Sequence, residues 1–218
     1  MTKDWKTMLP PDITTMNIEP VGLWPQILFK DHWDGDLSLI LEKCRAAANS
    51  VEVNATLEKG NAISTVSTLN DPHNWEECKP FVDWIMQRVN LLWNAWNFRN
   101  CKRWITKSWT NVHTTSGMTM EHSHGDLAIV ITWYVSLPPK SGFIEFRNPL
   151  EYHWAGYPIE NGDKGLWTPV PCKTNDVLIF PGWLKHRVQP SQTDEERWVI
   201  TLNISHHDMY MLDGNYAQ

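Results

Sequence analysis

No stretch of this sequence concentrates charge of one sign. The formal net charge is −6 and the pI about 5.8, yet no run of basic residues offers the electropositive surface a phosphate backbone requires, so nucleic acid is not an expected partner. Long apolar runs are missing as well, and none approaches the length of a membrane span. The stretch MTKDWKTMLPPD has no apolar segment after its lysines, so a soluble, unexported protein, at home in the cytoplasm, is expected. Cysteine is scarce: Cys44, Cys78, Cys101 and Cys172 form neither a CxxC pair nor a dense framework, which fits a reducing compartment. There is no internal repeat, low-complexity tract or obvious linker. What remains is 218 residues with 42% hydrophobic content, enough for one sizeable core without disulfides or a structural metal. The 14 tryptophans are spread along the chain and are expected to pack rather than to form a binding platform.

The first third has helical periodicity. In DGDLSLILEKCRAAANS, Asp36 is a capping residue, and Leu37, Ile40, Leu41, Cys44 and Ala48 recur at the spacing of one buried face. A second helix is predicted over about 74–97, with Phe81, Ile85, Val89, Leu92 and Trp96 on one stripe and Pro80 opening or kinking it. Between them VEVNATLEKGNAIST is a hairpin or a loop. From Arg103 the period becomes strand-like: RWITKSWTNVH, DLAIVITWYVSL, GFIEFRNP, NDVLIFPGW and RWVITLNIS are short, β-branched or aromatic, and bounded by turn residues. Five strands without an intervening long helix point to a mainly β fold with flanking α, an antiparallel jelly roll (cupin-like) buttressed by helices. The division expected is an N-terminal helical or irregular lobe over 1–102, packing on a β core over 103–218 as one structural unit.

Just before the most apolar strand stands MEHSHGD, residues 120–126. If extended, it points His122, His124 and Asp126 to one side. His186 follows another apolar strand, and in a jelly roll such strand ends meet. Two imidazoles and a carboxylate on one face of a divalent ion leave positions open for chemistry, unlike a closed four-ligand structural zinc site. Arg197, at the start of the next strand, places a forked cation that wants a carboxylate. His32, His73, His113 and His153 show no partner pattern, and His206 and His207 are expected at the surface.

The segments HSHGDLAIVITWYV, SGFIEFRNP, VPCKTNDVLIFPGWLKHRVQP and ERWVITLN resemble the 2-oxoglutarate and Fe(II)-dependent dioxygenases, most of all a prolyl-hydroxylase-like group from bacteria and bacteriophages. The resemblance covers about residues 103–205. It implies a double-stranded β-helix core, with Fe(II) on His124, Asp126 and His186 and the far carboxylate of 2-oxoglutarate on Arg197. Thr201 or Tyr134 then supplies a hydroxyl, because Val199 stands where the family often has Ser. His122 is read as a group behind the ligands or a substrate contact; the alternative, drawn from relatives with His-x-His, makes it a ligand in place of Asp126. Asn175 stands where a turn glycine is usual, and Asn tolerates positive φ. The implied reaction consumes O2 and 2-oxoglutarate, releases succinate and CO2, and hydroxylates a protein side chain (prolyl-like) or a small molecule, with ascorbate as an accessory reductant. For a phage-borne gene the site of action is the host cytoplasm. Two other readings stand beside it: a cupin-like metalloenzyme that does not use 2-oxoglutarate, and a non-catalytic β-sandwich binding module.

Overall fold

The computed structural model describes residues 28–49, 51, 57–96, 98–125, 127–149 and 166–207. Eleven strands and two α-helices occur among them. β4 (Lys102–His113), β6 (Ile129–Ser136), β7 (Ile144–Arg147), β9 (Asp176–Pro181) and β11 (Arg197–His207) fall on the five predicted strand segments. Six further strands lack a legible run of their own: β1 (Phe29–His32), β2 (Glu58–Lys59), β3 (Ala62–Ser64), β5 (Met118–His122), β8 (Trp167–Val170) and β10 (His186–Val188).

All pairings are antiparallel. One sheet runs β1-β9-β6-β11-β4-β3 and the other β2-β5-β10-β7-β8. From β4 to β7 the chain changes sheet at every connection, and it does so again through β9, β10 and β11. That alternation is the double-stranded β-helix, or jelly roll.

Helices α1 (Ser38–Asn49) and α2 (Lys79–Ala95) cover the outer face of the larger sheet. Asp36 starts α1, its carboxylate accepting from the Ser38 backbone N–H at 3.0 Å, and Ile40, Cys44, Ala47 and Ala48 are its buried face. The second helix is shorter than its periodicity predicts. Pro80 sits in its first turn, and two 3-10 turns, Pro72–Asn74 and Glu76–Cys78, take up the preceding residues, because proline fits a helix start where no N–H is needed. Phe81 stacks on Trp133 at 3.7 Å between ring centroids, joining α2 to β6.

Strand parity divides the core in two. Ile129, Ile131, Trp133 and Val135 of β6 face the helices with Trp198, Ile200, Leu202 and Ile204 of β11. Val130 and Tyr134 face the other sheet, with Leu178, Phe180 and Val199. β6 is therefore buried on both faces, which is why its sequence is continuously apolar.

Within the polar stretch between the helices, residues 57–64 form a corner rather than a hairpin: β2 pairs with β5 in one sheet and β3 with β4 in the other. Gly60 makes the corner with φ +68°, and a Cβ there would lie 2.1 Å from Ser116 O. Asn175, at φ 71°, fills its turn as expected and donates from Nδ2 to Gly35 O. Cys44, Cys78, Cys101 and Cys172 form no disulfide. The tryptophans described are mostly packed, although Trp183 is half exposed. No helix among the described residues is long and apolar enough to cross a membrane.

Candidate metal and anion site

Between the sheets lies a cavity of about 380 Å³, within the range of small-molecule sites. β11 sends every second residue into it: Arg197, Val199, Thr201 and Asn203. β4 answers with Trp109, Asn111 and His113, and β6 with Thr132 and Tyr134. Arg197 pairs with His113, Val199 with Asn111 and Thr201 with Trp109 in the β11–β4 register, so the floor of the cavity is one two-stranded ladder with distinct ends.

At one end three imidazoles converge. One ring nitrogen each of His122, His124 and His186 lies within 4.8 Å of the others. His186 opens β10, directly opposite His122 of β5. The register slips by one residue between that pair and the Val188–Thr119 pair. The resulting bulge lets both Thr119 and His122 face inward, as strict alternation would not. His124 lies just beyond β5, where its backbone N–H donates to Gly182 O at 2.8 Å. Gly182 is there because a Cβ would lie 2.1 Å from Leu127 O.

Each of the three rings has its Nδ1 on a carbonyl oxygen: Met120 O for His122 at 2.8 Å, Asn203 Oδ1 for His124 at 2.8 Å and Leu184 O for His186 at 2.9 Å. A carbonyl oxygen only accepts, so Nδ1 carries the proton and the Nε2 lone pair is left free. That is the support a metal-binding histidine needs. Burial, and then the neighbouring His122, pushes His124 down to about 4 and His186 well below its ordinary value, which keeps both in the neutral form that binds metal. These residues fit a divalent cation.

The same buried rings make stability depend on pH. Unfolded, they take up protons near their ordinary value of 6.5; folded, His124 does so only near 4. Unfolding therefore binds protons between about pH 4 and 6.5, and the folded state loses stability as the pH falls through that window. The melting temperature of the metal-free protein should decline steadily from pH 7 to pH 5. A flat profile would mean that the rings titrate normally in the folded chain.

At the other end Arg197 is 1% exposed. Its Nη1 donates to Ser141 O at 2.7 Å, its Nη2 to His113 Nδ1 at 2.5 Å, and its buried Nε has no partner. Burial lowers the guanidinium to about 10, so it remains a cation. An unspent N–H on a buried cation fits an entering carboxylate, as in 2-oxoglutarate. Tyr134 and Thr201 both line the cavity, and burial raises the Tyr134 phenol well above its ordinary value, so it is a neutral hydroxyl.

The predicted residues His122, His124, His186, Tyr134, Arg197 and Thr201 thus share one cavity, while Asp126 lies outside the described residues. His113, read from sequence as lacking a partner, has three: Arg197, Glu58 and Thr119. Sequence reasoning also passed over Glu58, Asn203 and Trp109, whose ring stacks on His124 at 5.8 Å. The alternation Trp109, Asn111, His113 on β4 was the available signal.

Residues 107–203 match the family described as "Putative 2OG-Fe(II) oxygenase". This segment is a 2OG-Fe(II) oxygenase domain. Among solved structures, the oxygenase domain and its flanking elements are similar to a prolyl-4-hydroxylase from Pseudomonas putida (TM-score 0.59, 14% identity, 84% of this chain and 94% of that one). A viral collagen prolyl hydroxylase from Paramecium bursaria Chlorella virus-1, in complex with 2-oxoglutarate, is similar over 81% of this chain and 94% of its own (TM-score 0.53, 12% identity). HygX from Streptomyces hygroscopicus, with nickel, 2-oxoglutarate and hygromycin B bound, gives a TM-score of 0.51 at 13% identity over 83% of each chain. At these identities the likeness is one of fold. No curated protein matches the chain in sequence.

Proposed function

We propose that the oxygenase domain is a hydroxylase in which His122, His124 and His186 hold Fe(II) and Arg197 takes the far carboxylate of 2-oxoglutarate. One observation carries this reading. Three imidazoles, each with Nδ1 committed to a carbonyl, gather at one end of a cavity whose other end holds a buried guanidinium with an unpartnered Nε. The competing donor set, His124, Asp126 and His186, follows from the family resemblance and is separated from the first by substitution, as below.

When bound, the iron and keto acid supply the oxidation: O2 and 2-oxoglutarate are consumed, succinate and CO2 leave, and a substrate C–H becomes C–OH. The chain's own residues do the rest. Asn203, Met120 O and Leu184 O aim the three rings. Arg197 orients the co-substrate, with Tyr134 or Thr201 adding a hydroxyl. Trp109, Ile144 and Val188 line the cavity with apolar surface and limit water. Substrates in keeping with this site are a peptidyl proline or other protein side chain, or a small molecule.

Anaerobic addition of Fe(II) and then 2-oxoglutarate to metal-free protein tests the reading. A broad visible charge-transfer band is expected only with both present. Bound metal without a band would favour the cupin-like metalloenzyme; no bound metal would favour a non-catalytic binding module.

A further inference from the structure

Two buried side chains at the Arg197 end have no role in the proposed reaction. His113 ends β4 and is 2% exposed; Glu58 opens β2 and is 7% exposed. His113 Nε2 lies 2.5 Å from Glu58 Oε2, and its Nδ1 lies 2.5 Å from Arg197 Nη2. A guanidinium has donors only, so Nδ1 accepts, and the ring proton sits on Nε2, donated to Glu58. Burial holds the ring below its ordinary value, with Arg197 acting in the same direction against the Glu58 hydrogen bond. Thr119 Oγ1 is within 3.1 Å of Glu58 Oε1 and 2.9 Å of Oε2, which steadies the carboxylate. The hydrogen bonds therefore run in one direction, Arg197 to His113 to Glu58.

The consequence is geometric. Nη1 on Ser141 O and Gly142 O and Nη2 on His113 Nδ1 fix the guanidinium, and its buried Nε has no partner. Were Glu58 to contact Arg197 directly, its carboxylate would occupy the place a ligand's carboxylate must take. Interposing a neutral imidazole keeps the compensating charge one ring away and leaves a donor unspent. We propose that His113 is a positioning residue of the 2-oxoglutarate site, using Nδ1 to set the direction in which Arg197 presents that donor. This rests on the oxygenase reading above.

The two ring nitrogens can be replaced one at a time. Asparagine places its amide near the position of Nδ1 and can accept from Arg197; glutamine reaches the position of Nε2 and keeps only the Glu58 contact. The measurement is calorimetric titration of 2-oxoglutarate into Mn(II)-loaded protein without oxygen, with Mn(II) affinity measured separately. His113→Gln is expected to weaken 2-oxoglutarate binding about tenfold or more, the worth of one hydrogen bond to a charged group. His113→Asn should stay within about threefold of wild type, and Mn(II) affinity alone should be equal in all three. Equal 2-oxoglutarate binding by the two variants would overturn the proposal, since a role in packing alone does not distinguish the nitrogens. Should neither variant fold, Glu58→Gln, which retains an acceptor for Nε2–H, is expected to bind like wild type and Glu58→Leu about tenfold more weakly; a Leu variant equal to wild type overturns the proposal. Wild-type protein that holds Mn(II) but takes up no 2-oxoglutarate overturns the oxygenase reading and this one with it, whereas wild-type binding with unchanged variants sinks this one alone.

Discussion

Replacing His122 by alanine is expected to weaken divalent-metal binding by at least about a hundredfold, while Asp126→Ala keeps the metal. Losing a group that merely supports a ligand costs about 10–100-fold in affinity or activity, and loss of a ligand should exceed that. The expectation follows from the Nδ1 bonds. His122 is held by Met120 O as His186 is held by Leu184 O, and the two are paired across neighbouring strands. His122 is only partly buried, so its removal should leave the fold intact. Competition with a chromophoric chelator measures the effect directly, without a substrate. The opposite pattern, metal retained in His122→Ala and lost in Asp126→Ala, would reassign the site to His124, Asp126 and His186.

Arg197→Met should raise the KM for 2-oxoglutarate by about a hundredfold or more. Hydrogen bonds to charged groups contribute about 1.5–3 kcal/mol each, and two of them to one carboxylate, from the unpartnered Nε–H and the second N–H of Nη2, correspond to at least that factor. The substitution also has a structural cost, because Ser141 O and His113 Nδ1 both lose their donor inside the core, so a lower melting temperature is expected as well. Arg197→Lys restores the charge but not the fork that reaches both anchors, and should recover stability less than charge alone suggests. Succinate release at varied 2-oxoglutarate separates the effects: a KM change reports the anchor, whereas a loss of folded protein lowers the rate without moving KM. A KM within about threefold of wild type in Arg197→Met would remove it from this role.

Several features of the site were legible before any coordinates. Arg197 heads a strand with period-two alternation, so Val199 and Thr201 had to share its face. The continuous apolarity of β6 announced burial on both sides. Four motifs in family order pointed to His124, His186 and Arg197, which share one cavity. His113 was not legible, since its partners Glu58 and Arg197 lie 55 and 84 residues away in the chain. Glu58 looked like one charge in a polar loop, and the corner at Gly60 that brings β2 beside β5 has no hydrophobic run to mark it. His122 was misleading for another reason. Its spacing from His124 suggested one extended stretch, yet β5 ends at His122 and His124 is placed by the Gly182 contact instead.

The sequence by itself determined residue chemistry and strand parity: which faces are apolar, which strands are buried twice, and that two histidine-bearing segments flank apolar strands. Those properties are local, arising from the pleat that turns successive side chains to opposite sides. Only the tertiary structure decided that a bulge turns His122 inward, that His186 lies opposite it, and that a histidine stands between Arg197 and Glu58. A bulge is a mismatch between two strands, and a relay is an encounter between three, so each depends on pairings remote in sequence.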